Sequence, residues 1–193
     1  MKTILLIILA FICFLSLSGC SKYSDEVQAN LIKLKKTKSC SGCDLTGIEL
    51  ISFDLKGANL SGANLTGANL RRSDLTGANL TDTNLTDADL LGVNPTGATL
   101  TNTNLTGVKL SYADINGVEM SNVILGGAKL NNAKLVNSGI SYSDMTGTNL
   151  YNADLTNTRV SDKTLKDTVL CKTIMPSGQT ENRSCRSAVW KTK

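Results

Sequence analysis

The sequence predicts an all-β solenoid, and three observations carry that prediction. From Ser41 to Leu170 the chain divides into 26 blocks of five without an insertion, and the fifth position is Leu in 20 of them. Ile115, Ile140, Met120, Met145 and Val160 substitute conservatively, and Pro95 is the exception. A period of five suits neither regular structure: a helix would spread those leucines around its circumference, and a strand would alternate them between faces. The backbone must therefore turn in every block and present the same residue inward each time. The third observation is compositional. Aromatics are only 4% of the chain, too few for an ordinary mixed core. The third position is mostly small (Ala58, Ala63, Ala68, Ser73, Ala78) and the second is often Gly, as turns with positive φ favour.

The elements follow in chain order. Lys2 and the apolar run Ile4–Leu17 have the layout of an export signal, too short to cross a bilayer that needs about 20 apolar residues. The run ends in Leu17-Ser18-Gly19-Cys20, which resembles the bacterial lipobox. That resemblance implies removal of residues 1–19, Cys13 among them, and a mature N-terminus at Cys20 carrying a diacylglycerol thioether and an acylated amine. Two or more acyl chains anchor a protein stably without a membrane-spanning helix. Ser21, not being Asp, implies sorting to an outer membrane facing the periplasm in a two-membrane bacterium.

Residues 20–40 read as a tethered helical cap. Ser24 is an N-cap, Asp25 and Glu26 suit the first turn, and Val27, Leu31 and Leu34 make one apolar stripe. Lys33, Lys35, Lys36 and Lys38 crowd the C-terminal end. The narrow stripe needs a partner, and the open end of a repeat array needs a cover. A basic helix lying on anionic lipid is the alternative.

Residues 41–170 are the array. Ala58-Asn59-Leu60-Ser61-Gly62 and Ala68-Asn69-Leu70 closely match the loose motif of the pentapeptide-repeat family, and the resemblance covers about two-thirds of the chain. It implies a right-handed quadrilateral β-helix of four blocks per coil. The 26 blocks would then make about 6.5 coils and a rod about 31 Å long at ~4.8 Å per coil. Residues twenty apart should stack. The fourth-position column Asp54, Asp74, Asn94, Asp114, Lys134, Asp154 sets two like charges side by side at its start. Large third-position residues Ile48 and Phe53 lie in the first coil, under the expected cap. Lys163 breaks the small-residue rule near the other end, where the coil should loosen.

The remaining cysteines lie at the two ends: Cys40 and Cys43 before the array, Cys171 and Cys185 in the tail of residues 171–193. Three readings compete. One shared zinc site is ruled out if the pairs stand about 31 Å apart, since Zn–S is about 2.3 Å. A Cys-x-x-Cys redox centre lacks the βαβ setting that lowers a thiol pKa. Disulfides suit an exported protein, and Cys171–Cys185 resembles the Cys-containing tail that follows the repeats in many family members. Pairing of Cys40 with Cys43 is left more open, because its loop is so short.

For function, the sequence excludes more than it selects. It contains no His, which removes Ser-His-Asp triads and His-ligated metals. No cofactor or metal is expected. The foremost reading is a lipid-anchored, non-catalytic structural or interaction module of the cell envelope. Its partners would be the membrane, through the N-terminal lipid, and an envelope protein. Two copies could also meet through the ends of the rod. The gyrase-protecting DNA mimics of the family are similar in fold. Here, however, the array holds 13 acidic and 9 basic residues, a net of −4, a weak field for imitating a duplex. No nucleic-acid partner is expected. A thiol oxidoreductase is the other alternative. One side of the array stands out as a partner face, with Arg71, Arg72, Leu91, Tyr112 and Tyr151 outward; Arg and aromatic residues are enriched at interface hot spots.

Overall fold

The computed structural model describes residues 22–185. The export signal of residues 1–19, the acylated Cys20 and the tail beyond Cys185 lie outside those residues. The first element is helix α1, Asp25–Thr37. The Ser24 hydroxyl accepts the Val27 N–H at 3.2 Å, and Lys38 ends the helix in a left-handed turn with φ 56°. Val27 and Leu34 are buried, with Leu31 packed beside them, so the stripe faces the array. The helix lies across the open first coil. Asn30 donates to the Asp44 carbonyl at 3.0 Å, and the Glu49 N–H donates to the Tyr23 hydroxyl at 3.1 Å. Beneath it Ile48 is fully buried, and the Lys35 ammonium stands 6.0 Å from the centre of the Phe53 ring. The stripe has protein for a partner, which is what the cap reading requires.

In a regular block of the array each main-chain N–H has its own destination. Block 61–65 and its neighbours show the rule. The Leu65 N–H donates to the Asn84 carbonyl one coil on at 2.7 Å, and Gly67 donates to Thr86 at 2.8 Å. Asn64 donates back to Cys43 at 2.9 Å. The Ala63 N–H closes the turn on the Leu60 carbonyl at 3.0 Å, and the Thr66 N–H donates to the Asn64 side chain at 3.2 Å. Second, fourth and fifth positions thus bind the neighbouring coil; the third and first are held within their own. That accounting is what backbone groups near a buried axis require. Parallel bridges link fourth positions twenty residues apart, from Ser39↔Asn59 to Asp154↔Ile174. One such link, Glu119↔Gly139, lengthens into the pair of short parallel strands β1, Glu119–Ser121, and β2, Gly139–Ser141. The twenty-residue step gives four sides. Side 1 carries Asp44, Asn64, Asn84 and onward, side 2 Glu49 and Asn69, side 3 Asp54 and Asp74, and side 4 Asn59 and Asn79.

The fifth-position leucines fill the axis, most of them fully buried. Small third-position residues pack between them. At most Ser and Thr third positions the hydroxyl is buried and finds the fifth-position carbonyl 23 residues back: Thr83 reaches Leu60 at 2.9 Å, Thr103 Leu80 at 2.8 Å, Thr148 Leu125 at 2.8 Å, whereas Ser143 and Thr168 bond locally to Ser141 and Leu165. Among the described residues no buried side-chain nitrogen or oxygen lacks a partner. A buried hydroxyl left unsatisfied would cost about 1–3 kcal/mol.

The ladder overruns the 41–170 block count at both ends. Ser39 already bridges Asn59, and Cys40 occupies the inward slot that leucine takes later. At the far end Ile174 still bridges Asp154, yet one side within the last coil is irregular. Residues Asp162–Leu165 wind into a single helical turn, α2, capped by Ser161. Lys163 cannot enter the axis as a third-position residue, and the helical turn keeps it exposed. The tail then folds back over the end. Strands β3, Thr173–Ile174, and β4, Thr180–Glu181, pair antiparallel, the Ser184 N–H donates to Leu170 at 2.9 Å, and Arg183 donates to the Leu165 carbonyl.

This packing makes a sharp contrast between adjacent residues. Leu105→Ala, at a mid-array inward position, should lower unfolding stability by about 2–5 kcal/mol. Thr106→Ala removes only a half-buried hydroxyl bonded to Asn104 and should cost no more than about 1 kcal/mol. Denaturant midpoints of the two variants give the comparison, and equal losses would mean that the inward register is misassigned.

Candidate functional site

A left-handed backbone is required at the second position of every regular block, where φ lies between about 53° and 69°. Glycine takes this conformation freely, and Asn or Asp takes it at small cost; other residues are strained by about 1–2 kcal/mol. Sides 2 and 4 obey this economy throughout, with Gly47, Gly67, Asp87 and Gly107 on one and Gly57, Gly77, Gly97 and Asn137 on the other. Side 1 obeys it as far as Tyr142. Side 3 does not: its column reads Ser52, Arg72, Gly92, Tyr112, Asn132, Asn152, Lys172. Bulky residues are thus held in a strained conformation along one side, and strain retained at particular positions is a reason to look for function there.

The side chains on this side form one strip. Tyr112 is 66% exposed and Arg72 is exposed, the latter lying over Gly92. Leu91 and Tyr151 are half-buried. Arg71 pairs with Asp89 at 3.4 Å, and the Lys172 ammonium sits 5.7 Å from the centre of the Tyr151 ring. A shallow depression of about 490 Å³ lies between Tyr151, Lys129 and Asn131. All five residues expected on the partner face therefore share this side. Lys172 belongs with them and was missed by sequence reading, because it falls after the last counted block. Its signal was available: Lys172 stands sixty residues beyond Tyr112, three full coils.

A second concavity, of about 770 Å³, opens where α2 departs from the coil above. Its walls include Ile140, Met145, Val160 and Lys163, and Tyr142 at its lip is 90% exposed. Lys163 marked this end as one where the coil loosens, but the cleft itself was not legible, since α2 keeps the five-residue count while leaving the ladder.

The cysteines are paired at both ends. Cys171 and Cys185 are bonded with Cα atoms 4.8 Å apart, and Cys40 and Cys43 with Cα atoms 5.3 Å apart. Cys40 and Cys43 fill inward slots under α1, at 0% and 6% exposure. Thiol exchange needs an attacking thiolate to reach sulfur, and burial beneath the helix denies that approach.

The carboxylates along the rod serve the turns. Asp54 accepts from the Lys38 ammonium at 2.7 Å and from the Lys56 N–H, and these hold its carboxyl below the usual range. Asp74 is lowered first by the Thr76 hydroxyl and N–H, then by Lys56 at 3.2 Å. The repulsion expected between these stacked aspartates is thus relieved by two lysines. Asp44 and Asp144 are lowered by the hydroxyl and N–H of Thr46 and Thr146. A carboxyl lowered in the folded state stabilises above its unfolded pKa, and that contribution is lost as pH falls through the folded value. Stability should therefore hold from neutral pH to about pH 4 and decline below it. Asp74→Asn keeps an acceptor, as Asn64 and Asn84 do, and should flatten part of that decline. Denaturant midpoints measured against pH check this; an unchanged profile would contradict it.

With the geometry in view, comparison with known proteins places the chain. The sequence profile of pentapeptide repeats matches eight copies within residues 39–162. Similar solved structures include HetL, a pentapeptide repeat protein involved in heterocyst differentiation regulation in the cyanobacterium Nostoc sp. strain PCC 7120. It is 30% identical, covers 74% of each chain and has a TM-score of 0.49. The pentapeptide repeat protein alr5209 from Nostoc PCC 7120 is 32% identical over 48% of this chain and 78% of its own, with a TM-score of 0.45. QnrB1, a plasmid-mediated fluoroquinolone resistance protein, is 25% identical over 64% of this chain and 71% of its own, with a TM-score of 0.35. No curated protein matches the sequence.

Proposed function

The chain belongs to the pentapeptide-repeat family, and we propose that it serves as a lipid-anchored, non-catalytic interaction module of the bacterial cell envelope. The reading is carried by the bulky residues at left-handed positions on side 3. Arg72, Tyr112 and Lys172 each give up the stability that Gly or Asn would bring there. Natural proteins give up stability in this way where function needs the side chain. Arg71 and Tyr151 extend this aromatic and cationic row of first and second positions, which runs beside the fourth-position carboxylates Asp54, Asp74, Asp114 and Asp154. It fits an envelope protein that presents aromatic groups and charges of both signs. Acidic and basic groups are mixed along this side, which lacks the uniform negative charge a duplex mimic needs.

The lipobox supports the anchor. Lys22, only two residues after Cys20, is held to Glu49 of the first coils at 2.9 Å. Two residues reach about 7 Å, so the acylated end would hold the rod close to the membrane surface. In a two-membrane bacterium Ser21 favours the outer membrane, with the rod in the periplasm.

Two measurements test this proposal. Mass spectrometry of membrane-extracted protein should find Cys20 N-terminal and acylated, and Cys20→Ala should release the protein from membranes. A photo-crosslinking residue at Tyr112 should capture a defined envelope protein, while one at Asn122, the equivalent position on side 1, should not. Tyr112→Asn should abolish the interaction while raising stability by about 1 kcal/mol, since Asn accepts the left-handed backbone more readily. Equal capture at both positions, or full membrane retention of Cys20→Ala, would overturn the proposal.

A further inference from the structure

The ladder between the coil of residues 81–100 and the coil of residues 101–120 is complete on two sides and missing on the other two. On sides 1 and 2 the bridges Asn84↔Asn104 and Asp89↔Lys109 are in place. On side 3 no bridge joins Asn94 to Asp114, and on side 4 none joins Thr99 to Glu119. Yet Asn94 and Thr99 bridge normally to Asp74 and Asn79 in the coil before. The hydrogen bonds agree atom by atom. Arg72, Gly77 and Leu80 donate to Leu91, Thr96 and Thr99; their counterparts Gly92, Gly97 and Leu100 donate to no carbonyl of the next coil. In the other direction Lys134 and Gly139 donate to Ala113 and Val118, whereas Asp114 and Glu119 donate to nothing in the coil before them.

Pro95 explains one loss directly, because it has no N–H to offer Asp114. The others are geometric. Pro95 takes the inward slot that leucine fills elsewhere, and its compact ring reaches less far into the axis. An apolar cavity of about 20 Å³ lies at this level, lined by Pro95, Leu90, Leu100, Leu110, Ile115 and Met120 among others. Atoms facing such a void lose contacts on one side, so core packing is weakened where the ladder is also open. The only comparable loss in the ladder among the described residues lies at the far end, where α2 leaves the coil. At Pro95 the chain keeps its five-residue count and its turns, with Val93 and Ala98 still bonded to Leu90 and Pro95.

We propose that this seam is a one-sided hinge. The rod is two stiff stacks joined along sides 1 and 2, which form the spine, and it flexes by opening and closing along sides 3 and 4. Cooperative units in repeat proteins are coupled through nearest-neighbour interfaces, and this interface keeps only half its ladder. Arg72 and Leu91 lie on one side of the opening and Tyr112 on the other, so bending alters the spacing along side 3.

Paired nitroxide labels read by electron–electron distance measurement test this in the full chain with its disulfides intact. Labels at Asn94→Cys and Asp114→Cys span the mouth; labels at Asn84→Cys and Asn104→Cys span the spine. The mouth distribution should be about twofold broader than the spine distribution, as expected for a locally opening unit. Pro95→Leu, which restores both an N–H and the inward side chain, should narrow it to the spine width. Pro95→Ala, which restores the N–H alone, stands in should the larger residue not fold. A mouth no broader than the spine, or a broad mouth unchanged by replacement of Pro95, would overturn the hinge.

Discussion

At the second residue of each block the chain adopts a positive φ, turns a corner and brings the next inward residue back to the axis. The turn fixes the direction of every other residue in its block. It sends the fifth residue inward, leaves room only for a small third residue, and aims the second, fourth and fifth amides at the neighbouring coils. A chain that turned less regularly could not keep leucines on one axis and close its backbone hydrogen bonds at once. The Asn and Asp at fourth positions hold the turn from outside by accepting from the first residue of the next block. Much of the polar surface is therefore scaffold: rows of Asn, Asp and Thr that look like a binding surface are committed to the turns.

That commitment explains how the proposed partner face separates from the rest. Where second positions are Gly, Asn or Asp, the sequence follows what the turn wants. Where they are Arg, Tyr or Lys, it gives up stability, and it does so mainly along one side. The opening at Pro95 lies on that side and the next. A partner that spans Arg72 and Tyr112 would meet two stacks, and its fit would depend on the angle between them.

The leucine column alone made the solenoid legible, and Ser24 with its apolar stripe located the capping helix. Both are local signals with a fixed period. The side carrying Arg71, Arg72, Leu91, Tyr112 and Tyr151 was legible through the twenty-residue stacking. Lys172 escaped because it follows the counted blocks. The pairing of Cys40 with Cys43 stayed open because its loop is so short; the structure brings the two Cα atoms to 5.3 Å and bonds the sulfurs. The consequence of Pro95 was only partly readable. Its missing N–H is chemistry, but the loss of the bonds around it depends on how two coils settle over a poorly filled axis. Lys163 marked where the coil loosens, but the helical form of α2 was hidden, because it preserves the block count while abandoning the ladder.

Residue-resolved hydrogen exchange on the folded protein tests the central claim, that one turn geometry assigns every amide. Protection should repeat with a period of five through the coils on either side of the Pro95 seam. Second-, fourth- and fifth-position amides should exchange slowest and first-position amides, bonded only to exposed side chains, fastest. Uniform protection along the blocks, or a helical period, would contradict the account.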